Sequence, residues 1–311
     1  MLDIHALRIF LEAARTENFT EAGRNLNLTQ PAVSAQIKTL EDYLQVKLFE
    51  RDGRTVRLTK SGETLVPMAQ QLIHMAISAE ETIRASEGKV VGNLVIGCSA
   101  AAAKYVLPHL VMRFQRLYPN VHVSIPVVSR QFLMEKIAQA EYDLGVVSVR
   151  EPDYDMSYSD FFLDRLVLIA PSSHPWARQG TIKPHQMLEE YFICREPESG
   201  CRATVAEGLA KVGLSIDQLH HVMEIGNAEA LAMAVEHGIG MSFVSQPVAV
   251  SRLPLGRLAI IQVEGLELIS PVEFVYSRSR PASPAQIKFL EFANHAQNRL
   301  LVQMLAEGRV I

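Results

Sequence analysis

Residues 19–63 have the sequence FTEAGRNLNLTQPAVSAQIKTLEDYLQVKLFERDGRTVRLTKSGE, and this stretch decides the fold of the N-terminal part of the chain. Asn18 is a favourable N-cap for a short helix over EAGRNLN. Thr29 or Gln30 can cap the next helix, because Pro31 has no N–H and therefore suits a first helical turn. The stretch predicts two short helices joined by a tight turn, which is a helix-turn-helix.

The second of these helices is predicted to have an apolar and a polar side. Val33 and Ile37 continue an apolar stripe at helical spacing, whereas Ser34 and Lys38 lie off that stripe. Apolar residues upstream predict a further helix over about 3–16. A polar outer face on the second helix is typical of a recognition helix in the major groove of DNA. A helical bundle with an ordinary solvated face is the alternative.

A hairpin is predicted after these helices. Residues 50–55 form a turn between the short apolar runs KLF and VRL, and Gly53 permits a tight bend there. Arg51, Arg54 and Arg57 would then lie where a wing meets phosphates or the minor groove. The pattern therefore indicates a winged helix-turn-helix.

Length and composition indicate a globular protein of two or three domains. The chain has 311 residues, of which 48% are hydrophobic and 21% are charged, and this excludes a disordered or fibrous protein. The net charge of −4 excludes a protein coated in basic residues. Residues 1–60 nevertheless hold nine Lys and Arg against eight Asp and Glu, whereas residues 61–311 hold 21 against 26. The locally basic stretch is 24–60, with seven basic and four acidic residues.

Cysteine usage and hydropathy predict a cytoplasmic protein. Cys98, Cys194 and Cys201 are an odd number without framework spacing, which fits a reducing compartment. The N-terminal residues MLDIHALRIF contain no apolar segment of a secretion signal. No membrane-spanning helix is expected either, because the longest uncharged stretch, 64–79, contains Pro67 and several polar residues.

The stretch after the hairpin has apolar residues in alternating steps of four and three. These residues are Leu65, Ala69, Leu72, Ala76, Ala79 and Ile83. Heptad spacing of this kind predicts a linker helix that pairs with a second copy, since a lone helix between two domains would leave the stripe in water. Packing against its own chain is the alternative. Pairing would place two recognition helices on successive major grooves of pseudo-palindromic DNA.

From residue 92 onward, strand and helix patterns alternate, which predicts open α/β sheets. A ligand in such sheets lies beyond the carboxyl ends of the strands, near helix N-termini. The loops at those ends are rich in Ser, Gly and backbone N–H donors suited to an anion, although ordinary N-capping is the alternative. Nearby positive charges are Lys104, Arg130, Arg195 and Arg202. The predicted strands cover 93–97, 121–128, 144–149, 165–171, 191–195, 240–244, 258–263 and 272–276, and a helix follows Pro284.

Residues 19–63 resemble the DNA-binding segment of the LysR-type transcriptional regulators, through the motifs TQPAVS, LFER and LTKSG. The resemblance implies that the start of the recognition helix reaches the major groove and that the wing reaches the minor groove. Gly23 and Ala35 depart from the family pattern, and Ala35 stands where a base-contacting Arg is common. The candidate DNA-binding residues are Thr20, Thr29, Gln30, Pro31, Ser34, Lys38, Arg51 and Arg54.

The C-terminal part resembles the effector domain of the same family, in REPESGCRATVAEGL at 195–209 and EIGNAEALAMAVEHGIGMSFVS at 224–245. The resemblance implies two Rossmann-like subdomains joined by strands that cross near 160–166 and 264–270. A small co-inducer would bind in the cleft between them, as in periplasmic binding proteins. The implied effector-binding residues are Ser99, Ala100, Ser129, Ser199, Gly200, Cys201, Arg202 and Asn227.

The expected fold is thus α/β, with an N-terminal winged helix-turn-helix, a long linker helix and a periplasmic-binding-protein-like effector domain. The expected boundaries are 1–60 for DNA binding, 61–90 for the linker and dimerisation helix, 91–311 for the effector domain, about 91–162 with 268–311 for subdomain I, and about 163–267 for subdomain II.

The leading functional hypothesis is a sequence-specific regulator whose cleft binds a small anionic co-inducer that changes the oligomer's grip on DNA. The expected partners are double-stranded promoter DNA, the co-inducer and further copies of the chain, as a homodimer and a homotetramer, with RNA polymerase as a further candidate and no membrane. A regulator switched by oxidation of Cys194 and Cys201 is one alternative. A solute-binding or enzymatic α/β protein is another.

Catalytic residues, cofactors and metals are not expected. The motifs GxSxG, HExxH, GxGxxG and the P-loop do not occur in the sequence. His220, His221 and His237 lack the spacing of metal ligands, so a structural role is expected for them.

Overall fold

The computed structural model describes residues 2–52, 55–86, 89–101, 103–152 and 154–309. The helices of the N-terminal part and linker are Ile4–Thr16 (α1), Phe19–Asn25 (α2), Gln30–Leu44 (α3) and Lys60–Ser86 (α4), and the strands are Phe49–Asp52 (β1) and Thr55–Leu58 (β2). The later strands are Gly92–Cys98 (β3), Val121–Ser124 (β4), Leu144–Val147 (β5), Met156–Pro171 (β6), Thr181–Ile182 (β7), Tyr191–Cys194 (β8), His220–Glu224 (β9), Ser242–Ser245 (β10), Leu258–Val263 (β11) and Leu268–Ser277 (β12). The later helices are Ala103–Leu117 (α5), Arg130–Ala138 (α6), Pro175–Gln179 (α7), Gly200–Lys211 (α8), Ala228–Glu236 (α9), Gln246–Val250 (α10), Pro284–Asn294 (α11) and Ala296–Ala306 (α12).

Side-chain caps start α2 and α3, as the sequence predicts. Asn18 Oδ1 accepts hydrogen bonds from the N–H groups at the start of α2, at 2.9 and 3.2 Å. Thr29, rather than Gln30, caps α3, since Thr29 Oγ1 accepts from Ala32 N at 3.4 Å. The helix-turn-helix is therefore confirmed, although α2 begins at Phe19, two residues before the predicted EAGRNLN segment.

An apolar core holds α1, α2, α3 and the hairpin together. Phe10 and Val33 are fully buried in it, and Phe49 packs edge-on against Phe19. Val46 lies outside this core and is 42% exposed, because it follows the end of α3 and precedes the hairpin. The core therefore resumes at Leu48.

The hairpin is antiparallel, with Phe49 opposite Leu58, which confirms the predicted wing. Val56 N donates to Glu17 O at 3.1 Å and so ties the wing to the turn between α1 and α2. Because this bond joins the hairpin to the helices by their main chains, the wing and the helices form one unit.

The linker helix α4 has two different sides. Leu65 and Ala69 belong to the core of the winged helix-turn-helix of their own chain, so the prediction that they lie in a dimer seam is wrong. The predicted stripe stays on the surface further along, where Leu72 is 37% and Ile83 is 69% exposed. Two methionines, Met68 and Met75, add to the exposed apolar surface.

The other side of α4 is polar and lies against the effector domain of the same chain. Gln70 Nε2 donates to Glu141 Oε1 at 2.9 Å. Burial lowers the pKa of His74 to about 4, and the positive charge of Arg280 acts in the same direction. Glu81 is buried and accepts a backbone hydrogen bond from Asn93 at the start of β3. One helix therefore contacts both the winged helix-turn-helix and the effector domain.

The large sheet of the effector domain has the strand order β4-β3-β5-β12-β6-β11-β7, with β10 also paired to β6. Strands β3, β4 and β5 are parallel, and β12 runs antiparallel beside β6 from Leu268 opposite Leu166 to Ser277 opposite Met156. We call the part built on β3, β4, β5, α5, α6, α11 and α12 the first lobe, and the part built on β7 to β11 with α7 to α10 the second lobe. Strands β6 and β12 join the two lobes.

Each lobe has its own apolar core. Phe114 and Phe289 are fully buried in the first lobe, where their rings meet edge-on at 5.2 Å between centroids. Phe192 and Leu209 are buried in the second lobe. Separate cores allow the lobes to behave as separate bodies on the two shared strands.

Candidate DNA-binding surface and effector cleft

The polar face of α3 presents the predicted recognition residues. Gln30, Ser34 and Lys38 follow one another at intervals of four, so they form one row on the helix. Gln30 and Lys38 are exposed and Ser34 is half-buried. Thr29 and Pro31 are exposed at the start of the helix, where Thr29 also acts as the cap.

The remaining predicted DNA contacts lie on α2 and on the wing. Thr20 is exposed in the first turn of α2. The structure describes the backbone of Arg51 in β1, whereas Arg54 lies outside the described residues. Arg57 is exposed on β2, on the strand that completes the wing.

A buried carboxylate that the sequence did not assign fixes the start of the wing. Glu41, 7% exposed at the end of α3, accepts hydrogen bonds from Leu48 N at 2.9 Å and Phe49 N at 3.2 Å. Lys47 Nζ lies 2.6 Å from the same carboxylate. Burial would raise the pKa of Glu41, but Lys47 and the two N–H groups hold the pKa below its ordinary value. The sequence gives no local signal for this role, because the partners of Glu41 follow the end of α3.

A cavity of about 710 Å³ opens between the lobes at the carboxyl ends of the strands. This position is the one predicted from the strand–helix alternation. Arg202 does not line the cavity: its Nη1 donates to Arg195 O at 2.8 Å and lies 3.4 Å from Glu224 Oε2. The predicted residues that line the cavity are Ser99, Ala100, Ser129, Ser199, Gly200, Cys201 and Asn227.

Several polar residues of the cavity are N-caps. Ser129 Oγ accepts from Phe132 N at 3.4 Å and Asn227 Oδ1 accepts from Ala230 N at 2.9 Å, so both have a structural role. Ser199 is different, because α8 begins there without a side-chain cap hydrogen bond. The N–H groups of the first turn of α8 therefore face a cavity without competition from a capping oxygen.

Each cation that lines the cavity is paired with a carboxylate. Arg130 Nε lies 2.5 Å from Glu151 Oε1, and Lys104 Nζ lies 3.5 Å from Glu229 Oε2 across the two lobes. Arg195 donates to Glu196 through Nε at 2.8 Å and Nη2 at 2.7 Å. Burial would raise the pKa of Glu196, but the Arg195 guanidinium holds it below its ordinary value. The sequence located these cations but missed their partners.

The lobes approach each other closely at Gly200. A Cβ atom on Gly200 would lie 2.2 Å from Ser148 Oγ and 3.0 Å from Val149 Cγ2 of the first lobe. A glycine at the start of α8 therefore permits the close approach of the lobes on one side of the cavity.

Two family models together match nearly the whole chain. The model described as "Bacterial regulatory helix-turn-helix protein, lysR family" matches residues 4–63, and the model described as "LysR substrate binding domain" matches residues 87–298. The chain belongs to the LysR family. It is a transcriptional regulator with a helix-turn-helix DNA-binding domain and an effector-binding domain of two Rossmann-like subdomains. Regulators of the LysR family bind promoter DNA and small-molecule effectors and form oligomers.

Relatives in the LysR family support this assignment along the chain. The HTH-type transcriptional activator CmpR of Synechocystis is 30% identical over 289 residues, which cover 93% of this chain and 94% of CmpR. Full-length CbnR complexed with its target DNA has the same fold, with a TM-score of 0.68, 21% identity and coverage of 94% and 99%. The regulatory domain of Synechocystis CcmR in complex with 2-PG is 27% identical over 65% of this chain and 95% of that one, with a TM-score of 0.59.

The cysteines of this LysR-family chain lie in surroundings that oppose ionisation. Burial raises the pKa of Cys201 to about 11, and the nearby carboxylate of Asp164 acts in the same direction. Burial also raises the pKa of Cys194 above its ordinary value. Because the thiolate is the form that oxidants attack, the geometry does not favour the redox alternative.

The described part of this LysR-family chain contains neither a membrane-spanning helix nor a cluster of metal ligands. None of the described helices has the length and apolar composition that a bilayer core demands. The described His, Cys, Asp and Glu side chains form no group of three or more that could hold a metal ion.

Proposed function

We propose that this regulator binds pseudo-palindromic promoter DNA as a dimer and that a small anionic co-inducer in the cavity between the lobes changes its grip on the DNA. The observation that carries the proposal is the cavity itself, which is lined from both lobes at the carboxyl ends of the strands. A ligand that contacts both lobes stabilises one lobe arrangement over others, and only such a difference in affinity shifts the equilibrium.

The proposed division of the chain follows the residue boundaries predicted above. Residues 1–60 bind DNA, residues 61–90 link and dimerise, and residues 91–311 bind the effector. The first lobe corresponds to subdomain I and the second lobe to subdomain II. Strands β6 and β12 support this division, because they pass from one lobe to the other.

The proposed DNA contacts are those of the α3 row, its first turn, and the wing. Gln30 and Ser34 contact base edges, and Thr29, Lys38 and the wing arginines contact phosphates or the minor groove. Exposure of the α3 row supports these roles, because its side chains are not used in the core.

The proposed dimer forms through the exposed apolar side of α4, with a tetramer as the further assembly. Exposed Leu72, Met75 and Ile83 support the pairing, since an apolar stripe of this kind is stable in water only when it is covered. Two copies would place their α3 helices one helical turn of DNA apart.

An anionic effector is supported by two observations. The first turn of α8 offers backbone N–H groups to the cavity, which is favourable for an anion. The regulatory domain of CcmR, which has the same fold, holds 2-PG. We further propose a cytoplasmic regulator without enzymatic activity, with RNA polymerase as an additional partner at the promoter.

Fluorescence-anisotropy titration of the upstream intergenic DNA tests the DNA-binding proposal. We expect salt-sensitive binding in roughly the nanomolar range. The Gln30→Ala, Ser34→Ala double variant should bind about 30-fold or more weakly, because each removes a contact to a base edge. Arg178→Ala, which removes an exposed positive charge in the effector domain, is the control and should bind as the wild type does. Retained affinity in the double variant would reject the proposed DNA surface.

Thermal-shift measurements with small anions test the effector proposal. 2-PG, inorganic phosphate and short carboxylic acids should be compared, and a ligand of the folded state raises the Tm with concentration. Ser199→Ala should reduce the shift, because its hydroxyl lies at the uncapped start of α8. No shift with any anion, and no effect of Ser199→Ala, would reject the anionic class.

A further inference from the structure

The charges of the cavity do not form an open anion site. Arg130 and Arg195, the guanidinium groups that would attract an anion, are each engaged by a carboxylate of the same lobe. Among the described residues, the charged side chains that line the cavity are Lys104, Arg130, Arg195, Glu151, Glu196 and Glu198, and Glu229 pairs with Lys104 beside them. An anion entering the cavity therefore meets cations that already have carboxylate partners, and it must compete with those partners.

The Arg195–Glu196 pair in the second lobe has the geometry of a guanidinium group with a bound anionic ligand. Arg195 presents Nε and Nη2 to the two carboxylate oxygens of Glu196, at 2.8 and 2.7 Å. This two-bond arrangement is the one in which a guanidinium binds a carboxylate or phosphate ligand. The Arg195 side chain is 12% exposed and that of Glu196 is 31% exposed, so the carboxylate is the more accessible partner.

A second guanidinium–carboxylate ion pair, with one close contact, lies on the opposite wall in the first lobe. Arg130 is the first residue of α6, and its Nε lies 2.5 Å from Glu151 Oε1. Glu151 follows β5 in a loop, and both side chains are about a quarter exposed, at 23% and 24%. Each lobe thus contributes to the cavity one guanidinium group that is already paired with a carboxylate.

We propose that Glu151 and Glu196 are internal substitutes for the anionic groups of the effector, and that the effector is a dianion that displaces both. One anionic group binds Arg130 on the first lobe and the other binds Arg195 on the second lobe. The inference rests on the proposed function, in which the cavity binds an anion, and adds that the anion carries two separated charges.

The exchange of Glu151 and Glu196 for ligand anions explains how the cavity distinguishes a dianion from a monoanion. When a ligand carboxylate replaces Glu196, the guanidinium keeps its hydrogen bonds and the released side chain regains water, so a single exchange changes the free energy little. A monoanion completes one such exchange on one lobe. A dianion of suitable length completes both and connects the lobes, which a monoanion does not do. Lys104 and Glu229 already link the lobes at 3.5 Å beside this path.

The proposal predicts an unusual response to mutation. A carboxylate that contacts the ligand through a hydrogen bond weakens binding when it is changed to an amide. A carboxylate that competes with the ligand strengthens binding when it is changed, because the guanidinium loses its charged partner. Glu151→Gln and Glu196→Gln should therefore bind dianions more tightly than the wild type.

Isothermal titration of the full-length protein distinguishes these responses. The probes are acetate, malonate, succinate, glutarate and inorganic phosphate, with glutamine as a zwitterion. The proteins are the wild type, E151Q, E196Q, the double variant and E198Q. Glu198 is the matched control, because it lines the same cavity, is exposed and pairs with no cation among the described residues. Circular dichroism and the Tm without ligand establish that each variant is folded.

We expect at least one dicarboxylate to bind the wild type about ten-fold more tightly than acetate. E151Q and E196Q should each tighten that dicarboxylate by about three- to ten-fold, and E198Q by less than about two-fold. If E196Q does not fold, E151Q alone decides, since its pair is on the other lobe.

Four other results would overturn the inference. Unchanged or weaker dianion binding in the variants shows that the carboxylates do not compete, while the proposed anion cavity stands. Acetate binding as tightly as every dicarboxylate removes the second charge from the effector. Binding of glutamine that is lost in the variants assigns the carboxylates to an ammonium group. Binding of no probe to any of the folded proteins rejects the anionic effector itself, and the inference with it.

Discussion

Glu41 and Asp164 are buried carboxylates whose surroundings have opposite effects. Glu41 accepts two backbone N–H bonds and pairs with Lys47, so its charged form is stabilised. Asp164, on the strand β6 that joins the lobes, receives one hydrogen bond from Ser245 Oγ at 2.6 Å. Burial raises its pKa to about 7, so its charged form is disfavoured. Both therefore make stability depend on pH, in opposite directions.

Changing Glu41 should loosen the junction between α3 and the wing. We expect Glu41→Gln to lower the free energy of unfolding by about 1–3 kcal/mol, because the amide keeps Oε1 for the two N–H groups but loses the charge that strengthens these bonds and places an NH2 group against Lys47 Nζ. Urea unfolding near neutral pH measures this, with the exposed neighbour Asp42→Asn as control. Since the pKa of Glu41 in the folded state is below 4.5, its contribution is complete above that value and is lost as pH falls through the folded pKa. Equal stability of the two variants would contradict the assignment.

Changing Asp164 should stabilise the protein at high pH. Its pKa rises from 3.8 in the unfolded chain to about 7, so stability declines as pH rises between these values and is constant above them. Asp164→Asn removes this decline, and we expect a gain on the order of 2 kcal/mol at about pH 8 and little at about pH 4. Thermal unfolding across this range, with the exposed Asp160→Asn on the same strand as control, measures it. A loss of stability in Asp164→Asn at high pH would contradict the account.

At the scale of elements, the predictions that succeeded rest on local patterns. Caps and apolar periodicity are enough to place α1, α2, α3 and the two strands of the hairpin, whereas Gly53 of the predicted turn lies outside the described residues. Strand β9 was missed because all five of its residues are exposed, so its sequence shows no alternation of buried and exposed positions. Strand β6 begins at Met156, whereas the sequence predicted a strand only from residue 165. Its first half was missed because it carries polar residues such as Asp160. A strand that is exposed or polar along its length shows no alternation of apolar and polar residues from which it could be predicted.

The two sides of α4 were not separable from the sequence. Heptad spacing gave one stripe, whereas the structure assigns Leu65 and Ala69 to the core of the same chain and leaves Leu72 exposed. The polar side, with Gln70 and His74, depends on partners about seventy residues or more away, which periodicity does not show.

Charging the exposed stripe of α4 should separate the dimer. We expect the Leu72→Asp, Met75→Asp double variant to be monomeric at concentrations where the wild type is dimeric or larger, because like charges would face each other in the seam. Sedimentation velocity measures the assembly state. Gln71→Asp, an exposed change next to Leu72, is the control and should assemble normally. A double variant that assembles like the wild type would place the dimer elsewhere.

At the scale of the whole molecule, the sequence predicted the place of the effector cleft but not its charge. The strand-end rule and the family resemblance placed Ser99, Ser129 and Ser199 around one cavity. The carboxylates that occupy the arginines, Glu151 and Glu196, went unnoticed, because an ion pair depends on side-chain positions that no local pattern contains. The expected anionic effector must therefore compete with these carboxylates for the arginines.

In the whole molecule, DNA affinity depends on two winged helix-turn-helix domains acting together. One winged helix-turn-helix has only a small local excess of positive charge, with seven basic and four acidic residues over 24–60. A single copy should therefore bind DNA weakly, and linkage through α4 should supply the affinity by joining two weak contacts.

The dependence of DNA affinity on paired winged helices is tested by comparing operator DNA that has both half-sites with the same duplex after one half-site is scrambled. Fluorescence anisotropy of the wild type should show about 100-fold weaker binding to the scrambled duplex, and the Leu72→Asp, Met75→Asp variant should bind both duplexes with the same low affinity. Equal, tight binding of the wild type to both duplexes would contradict the account, because one winged helix-turn-helix would then suffice.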